Sequence, residues 1–235
     1  MNKLSFNINV NENLINKKNL FLDLLRIIFI VKKTNVNSIT LYIKKNHIFE
    51  IDINIFKKII KNYINLKIEI FDEMLDIILK IKPKICCFIL KKKKNNYKKS
   101  LNIIKNFNKI SIAVNLLNYN KIQTSLFINP DLYQIDAAIN TGVKYIELNT
   151  IMYSKSKNNL EKKFQLNKIK KSVIYAKKKG LIVNVGNNLN YDNIKKLSKI
   201  NQINEFNIGN SIIKEGIYQG LNKAIKKMLL LINTK

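Results

Sequence analysis

The sequence predicts an α/β fold, a (β/α)8 TIM barrel occupying residues 1–235 as a single domain. Three observations lead there. Eight short strand-like runs alternate with longer amphipathic helical segments from one end of the chain to the other, the pattern of parallel βα units. The length of 235 residues suits an undivided α/β barrel. Apolar residues make up 46% of the chain and charged residues 25%, enough hydrocarbon to bury a core. An open, doubly wound sheet carries the same alternation and stays as the alternative, because periodicity does not reveal closure.

The runs, in order, are Leu4 to Val10, Ser38 to Ile43, Leu66 to Ile70, Ile85 to Leu90, Gln123 to Ile128, Tyr145 to Asn149, Leu181 to Val185 and Glu205 to Ile208. Between the first two, the longest apolar stretch, Leu20 to Val31, is broken by Asp23 and Arg26. It falls short of the ~20 residues that span a bilayer, which predicts no membrane segment. All six glycines lie at or beyond Gly142, so the first half is expected to turn on asparagine, the other residue tolerant of the left-handed region. Asn35, Asn37, Asn46 and Asn95 are the candidates. The basic stretch Lys91 to Lys99 reads as a solvated loop at the barrel mouth. After the fifth run, Asn129 is expected to cap a helix with Pro130 at its first position, Asp131 in its first turn and Gly142 closing it. A helix beginning near Leu166 is expected to end in lysines and Gly180, directly before the seventh run.

The formal charge of +28, from 43 basic against 15 acidic residues, raises the question of a polyanionic partner. Every basic residue except Arg26 is lysine, the polar positions are rich in Asn and the apolar ones in Ile. These three residue types share A/T-rich codons, so compositional drift accounts for the excess. Arginine forks and aromatic-basic interleaving are missing, and the charge reads as a solvated lysine coat, with nucleic acid not expected as a partner. Cys86 and Cys87 are adjacent in an apolar run, poor geometry for a disulfide and without metal-ligand spacing. With no signal-peptide pattern, a reducing cytoplasm is the expected location.

Several segments together resemble the pyridoxine 5'-phosphate synthase family. They are Asp72-Glu73-Met74-Leu75 with Lys82-Pro83-Lys84-Ile85-Cys86-Cys87; Ser125 to Asn129 with Gln134-Ile135-Asp136-Ala137-Ala138; and Gly142 with Tyr145 to Thr150. Val183-Asn184-Val185-Gly186 with Leu189 and Tyr191, and Glu205 to Gly209, complete the set. They are collinear over nearly the whole chain. The resemblance implies condensation of 1-deoxy-D-xylulose 5-phosphate with 3-amino-2-oxopropyl phosphate to pyridoxine 5'-phosphate, phosphate and water. It implies phosphorylated small-molecule substrates, a homo-oligomer, and neither metal nor bound cofactor. Such chemistry needs two anion sites, a general acid and base, and a pocket that excludes water.

The resemblance also places the site residues. The histidine base of the second strand falls on Tyr42, a nearby arginine on Lys44, and a second histidine on His47. Lys44 keeps the charge without the planar fork. A phenol with a pKa near ~10 serves as a base only if a cation steadies its phenolate. The catalytic glutamate of the third strand falls on Lys67. Glu69, two residues on and therefore on the same face, is the expected substitute carboxylate, with Lys67 as its ion-pair partner. The Gly-His-Gly turn after the seventh strand is Gly186-Asn187-Asn188, and the Gly-His after the eighth is Gly209-Asn210. Asn187 cannot transfer a proton at neutral pH, but the amides of both turns can hold phosphate. Asn9 is kept, Asn11 and Glu12 replace an Asp-His pair, Lys17 and Lys18 stand near a missing arginine, and Glu147 and Thr150 are expected in the pocket or at its rim. A homologue that binds phosphorylated ligands without catalysis is the alternative.

Overall fold

A computed structural model describes residues 2–9, 20–43, 64–70, 72–90 and 100–234. Asn11, Glu12, Lys17, Lys18, Lys44, Asn46, His47, Asn95 and the stretch 91–99 lie outside the described residues. Eight strands appear in the predicted places: β1 (Lys3–Asn9), β2 (Ser38–Tyr42), β3 (Ile64–Glu69), β4 (Ile85–Ile89), β5 (Gln123–Ile128), β6 (Tyr145–Asn149), β7 (Ile182–Gly186) and β8 (Glu205–Ile208). Each pairs in parallel with the next, and β8 pairs with β1, so the sheet is a closed barrel and the open-sheet alternative falls. The seam runs from Lys3↔Glu205 to Phe6↔Ile208.

Period-2 alternation sorts the strand residues into two environments. One set, including Phe6, Leu41, Ile68, Phe88, Leu126 and Phe206, is buried in the main apolar core. The other set faces the barrel axis and is largely polar, apart from a small apolar group of Tyr42, Cys87, Ile89 and Phe127. Adjacent strand residues point to opposite faces, and Cys86 and Cys87 accordingly fall in different clusters and are both free thiols.

The helices among the described residues are α1 (Leu20–Lys32), α2 (Asp72–Ile81), α3 (Phe107–Tyr119), α4 (Leu132–Asn140), α5 (Ile151–Ser154), α6 (Asn159–Lys178), α7 (Ile194–Leu197), α8 (Asn210–Gln219) and α9 (Leu221–Asn233). None is long and apolar enough to cross a membrane.

Three local expectations are corrected. The cap of α4 is Asp131, whose carboxylate accepts from Gln134 N at 3.1 Å; Asn129 is instead engaged by the Ser100 hydroxyl at 2.8 Å. Gly142 does close this helix, at φ +81°. Helix α6 begins two turns before Leu166, because Asn158 Oδ1 caps it by accepting from Glu161 N and Glu161 in turn accepts from Lys157 N. Asn35 and Asn37 do not take left-handed conformations; Lys82 and Lys121 do, at φ 55° and 60°. Lys121 follows α3, where Ile122 N reaches back to Leu117 O, a closure normally built on glycine. Asn37 is held otherwise: its Oδ1 accepts from Leu4 N while its own N donates to Leu4 O, tying the base of β1 to the start of β2.

Candidate functional site

The inward-facing residues near the C-terminal ends of β2, β3, β4 and β6 form a titratable cluster. Tyr42 and Lys67 are register partners, as are Lys67 and Cys87. Lys67 is 2% exposed, and its Nζ donates to Glu147 Oε2 at 2.5 Å across the barrel. The same nitrogen lies 4.9 Å from the centre of the Phe127 ring. The Cys87 thiol donates to the same carboxylate oxygen at 3.7 Å. Burial by itself lowers the pKa of the Lys67 ammonium, but the Glu147 carboxylate beside it leaves the value raised. Burial pushes the Cys87 thiol up to about 12, so it stays a neutral donor.

Glu69 does not pair with Lys67 as expected. Lys67 points across the barrel to β6, whereas half-buried Glu69 accepts from the Tyr42 hydroxyl at 2.7 Å. This contact decides the state of Tyr42. Burial, the hydrogen bond to Glu69 and the charge of Glu69 all hold the phenol far above its ordinary pKa. Tyr42 is therefore a neutral phenol whose hydroxyl donates to the Glu69 carboxylate.

The turns after β7 and β8 owe their shape to glycine. A Cβ on Gly186 would lie 2.6 Å from Glu147 Oε1 and 2.8 Å from Asn207 Cβ; one on Gly209 would lie 2.0 Å from Asn7 O. Asn187 and Asn188 follow at φ 91° and 63°. Asn187 Nδ2 donates to Asn149 Oδ1 at 2.9 Å, and the Thr150 hydroxyl donates to Gly186 O and Asn187 O at 3.0 and 2.8 Å. Thr150 is therefore fully buried as the support of this turn, with its hydroxyl committed to it. Gly209 precedes α8, which opens at Asn210. Asn9 ends β1 in register with Tyr42.

Sequence reasoning missed several members. Asn149 accepts from Ile151 N and Asn187 and donates to Ser100, so it links the end of β6 to the turn after β7 and to the segment beside the end of β5. Asn7 Oδ1 and Asn207 Oδ1, together with Oε1 of the expected Glu147, are buried acceptors with no hydrogen-bond partner among the described residues, suited to ligand hydroxyl or ammonium donors. At the N-terminal end, Ser38 donates to Glu205 at 3.0 Å and Asn65 donates to Ser38 at 3.3 Å. Burial raises the Glu205 carboxyl to about 7, against the lowering effect of the Ser38 hydrogen bond. The available signal was polar residues recurring at every second strand position, diluted here by asparagine throughout the chain. A cleft of about 840 Å³ opens beside the mouth, with Ser100, Asn129, Asp131, Gln134, Asn149 and Lys168 among its walls.

Comparison with known proteins bears on this arrangement. The family profile of the pyridoxal phosphate biosynthesis protein PdxJ matches residues 4–234. The chain is 36% identical over 203 residues to a pyridoxine 5'-phosphate synthase of Blochmanniella floridana, covering 85% of this chain and 82% of that one. It is 38% identical over 207 residues to the enzyme of the same name from Blochmanniella pennsylvanica, covering 87% and 85%. Among solved structures, tryptophan synthase subunit alpha from Campylobacter jejuni superposes with a TM-score of 0.64 at 10% identity, over 97% of this chain and 94% of that one, a likeness of fold alone.

Proposed function

The chain belongs to the family of the pyridoxal phosphate biosynthesis protein PdxJ, and on that premise we propose that it condenses 1-deoxy-D-xylulose 5-phosphate with 3-amino-2-oxopropyl phosphate to pyridoxine 5'-phosphate, releasing phosphate and water. The observation that carries the reading is a family match over nearly the whole chain, joined to a cluster of proton-transferring groups inside the C-terminal half of the barrel.

In this reading Glu69 is the general base. Tyr42 donates to it and orients it, and also supplies a proton to a leaving hydroxyl. Glu147 Oε1, Asn7 and Asn207 receive donors from the bound substrates. Asn9, Asn11 and Glu12 are assigned to the amino-ketone phosphate. Lys44 and His47, together with the backbone of Gly186-Asn187-Asn188 and of Gly209-Asn210, are assigned to phosphate. Only the turn amides among these are independent of side-chain identity, which suits a chain whose histidines at Asn187 and Asn210 are gone. A single-domain, cytoplasmic homo-oligomer completes the proposal.

The experiment supplies purified protein with both substrates, follows pyridoxine 5'-phosphate by its absorbance, and measures the affinity for each substrate separately. Product formation is the expected result. Binding of both without product would assign the chain to ligand binding without turnover.

A further inference from the structure

Lys67 occupies a place where a cation is costly. It is the one lysine buried among the described residues, set at mid-strand on β3 and facing the barrel axis, where an unpaired ammonium is strongly disfavoured. Its surroundings differ from those of a structural ion pair in two ways. Glu147 Oε2 is its only hydrogen-bond partner among the described residues, so two of its three N–H groups are uncommitted. Glu147 in turn leaves Oε1 without a hydrogen-bond partner among the described residues. A pair held by one hydrogen bond keeps freedom to move a proton on both sides. The remaining neighbours, Phe127, Cys87 and Tyr42, make a largely apolar wall, which favours loss of water from an adduct formed there.

We propose that the Lys67 amine is a nucleophile that captures the ketone carbonyl of the ketose phosphate as an imine, from which the amine of the second substrate displaces it. The inference rests on the condensation reading above and names the group that activates the carbonyl within it. Lys67 first gives a proton to Glu147. The neutral amine then forms a C–N bond to the carbonyl carbon, and the carbonyl oxygen takes the proton from Glu147. A second nitrogen proton passes through the same carboxylate to the hydroxyl, which leaves as water. The net change is an ammonium and a ketone becoming an iminium and water, with no oxidant or reductant. The incoming amine adds to the iminium carbon, both of its protons pass to the Lys67 nitrogen, and the bond to Lys67 breaks, so that Lys67 leaves as its ammonium. The product is an imine joining the two substrates. An iminium is a stronger electrophile than a ketone, so this route suits a barrel whose family histidine positions carry Tyr42 and Asn187.

The test treats the full chain with 1-deoxy-D-xylulose 5-phosphate alone, adds sodium borohydride, and reads intact mass followed by peptide mapping. In parallel, pyridoxine 5'-phosphate formation is measured with both substrates. The expected result is one reduced ketose adduct on Lys67. Lys67→Arg keeps a cation for Glu147 but cannot form the imine, so it should bind the ketose, give no adduct and lose turnover by at least about a hundredfold. Product without an adduct on Lys67, or an Arg variant as active as the parent, overturns the proposal while the condensation reading stands. An adduct on Lys67 without product supports carbonyl capture and overturns the condensation reading. Neither adduct nor product overturns both. If the Arg variant does not fold, trapping on the unaltered protein decides.

Discussion

Glu205 and Glu69 show how position alone divides two carboxylates in one barrel. Glu205 opens β8 at the N-terminal end, buried, with its carboxyl raised from 4.5 to about 7. The folded protein therefore holds a proton that the unfolded chain releases between about pH 4.5 and 7, and stability falls as pH rises through that window and levels off above it. The group accounts for up to about 3 kcal/mol of this loss. Glu205→Gln should flatten that part of a plot of urea midpoint against pH and leave the protein more stable at pH 8; an unchanged slope would remove Glu205 as the cause. Glu69 lies near the mouth, half-buried and hydrogen-bonded to Tyr42. Glu69→Gln keeps the shape and removes the base, so turnover should drop on the order of a hundredfold or more with unfolding behaviour little changed. Retained turnover would refute its role. Removing the Tyr42 hydroxyl with Tyr42→Phe frees the Glu69 carboxylate from the donor that orients it, and should lower turnover by about tenfold or more while substrate affinity is kept, as read by kcat against binding of each substrate. At this scale the sequence pointed to Glu69 but gave it the wrong partner. Two side chains on one strand face share a direction, yet which opposite strand each one meets depends on barrel closure.

Among the elements, the strands were legible and the helix ends less so. Runs such as Gln123–Ile128 and Tyr145–Asn149 are punctuated on both sides and fall where expected. The start of α6 was not, because its first turns are dominated by Asn159, Glu161, Lys162 and Lys163, and their apolar residues, Leu160 and Phe164, stay exposed and do not continue the core-facing stripe that begins at Ile169. Nor could sequence choose between Asn129 and Asp131 as the cap of α4, since the choice turns on Ser100 engaging Asn129 from another segment. Asp131→Ala should therefore cost about 1 kcal/mol by thermal or urea unfolding, and Asn129→Ala should leave α4 capped. The glycines separate in the same way. Gly142→Ala meets open space and carries only the left-handed penalty of roughly 1 kcal/mol, whereas Gly209→Ala sets a methyl 2.0 Å from the Asn7 carbonyl and must displace the β8–α8 turn. Destabilisation well beyond that of Gly142→Ala is the expected outcome.

For the molecule as a whole, closure was the part that alternation left open, and the continuous ring of parallel pairs from β1 to β8 supplies it. The net charge of +28 belongs to this scale too. If it is a lysine coat of compositional origin, anisotropy titrations with single-stranded RNA at physiological salt should show no saturable binding; a tight complex with a steep salt dependence would contradict that. The seam between β1 and β8 has a further consequence, for the order of events during folding. Lys3 pairs beside Glu205, so this contact closes a loop of about two hundred residues, whereas every other strand pair joins neighbours along the chain. Loop-closure entropy and high contact order place it last. During synthesis the seven earlier strands emerge with two open edges, β1 on one side and β7 on the other, until Glu205–Ile208 arrives to cover both. The nascent sheet is thus open to pairing with other chains until its final strand is made, an interval in which a folding helper that shields strand edges would raise the yield of closed barrel.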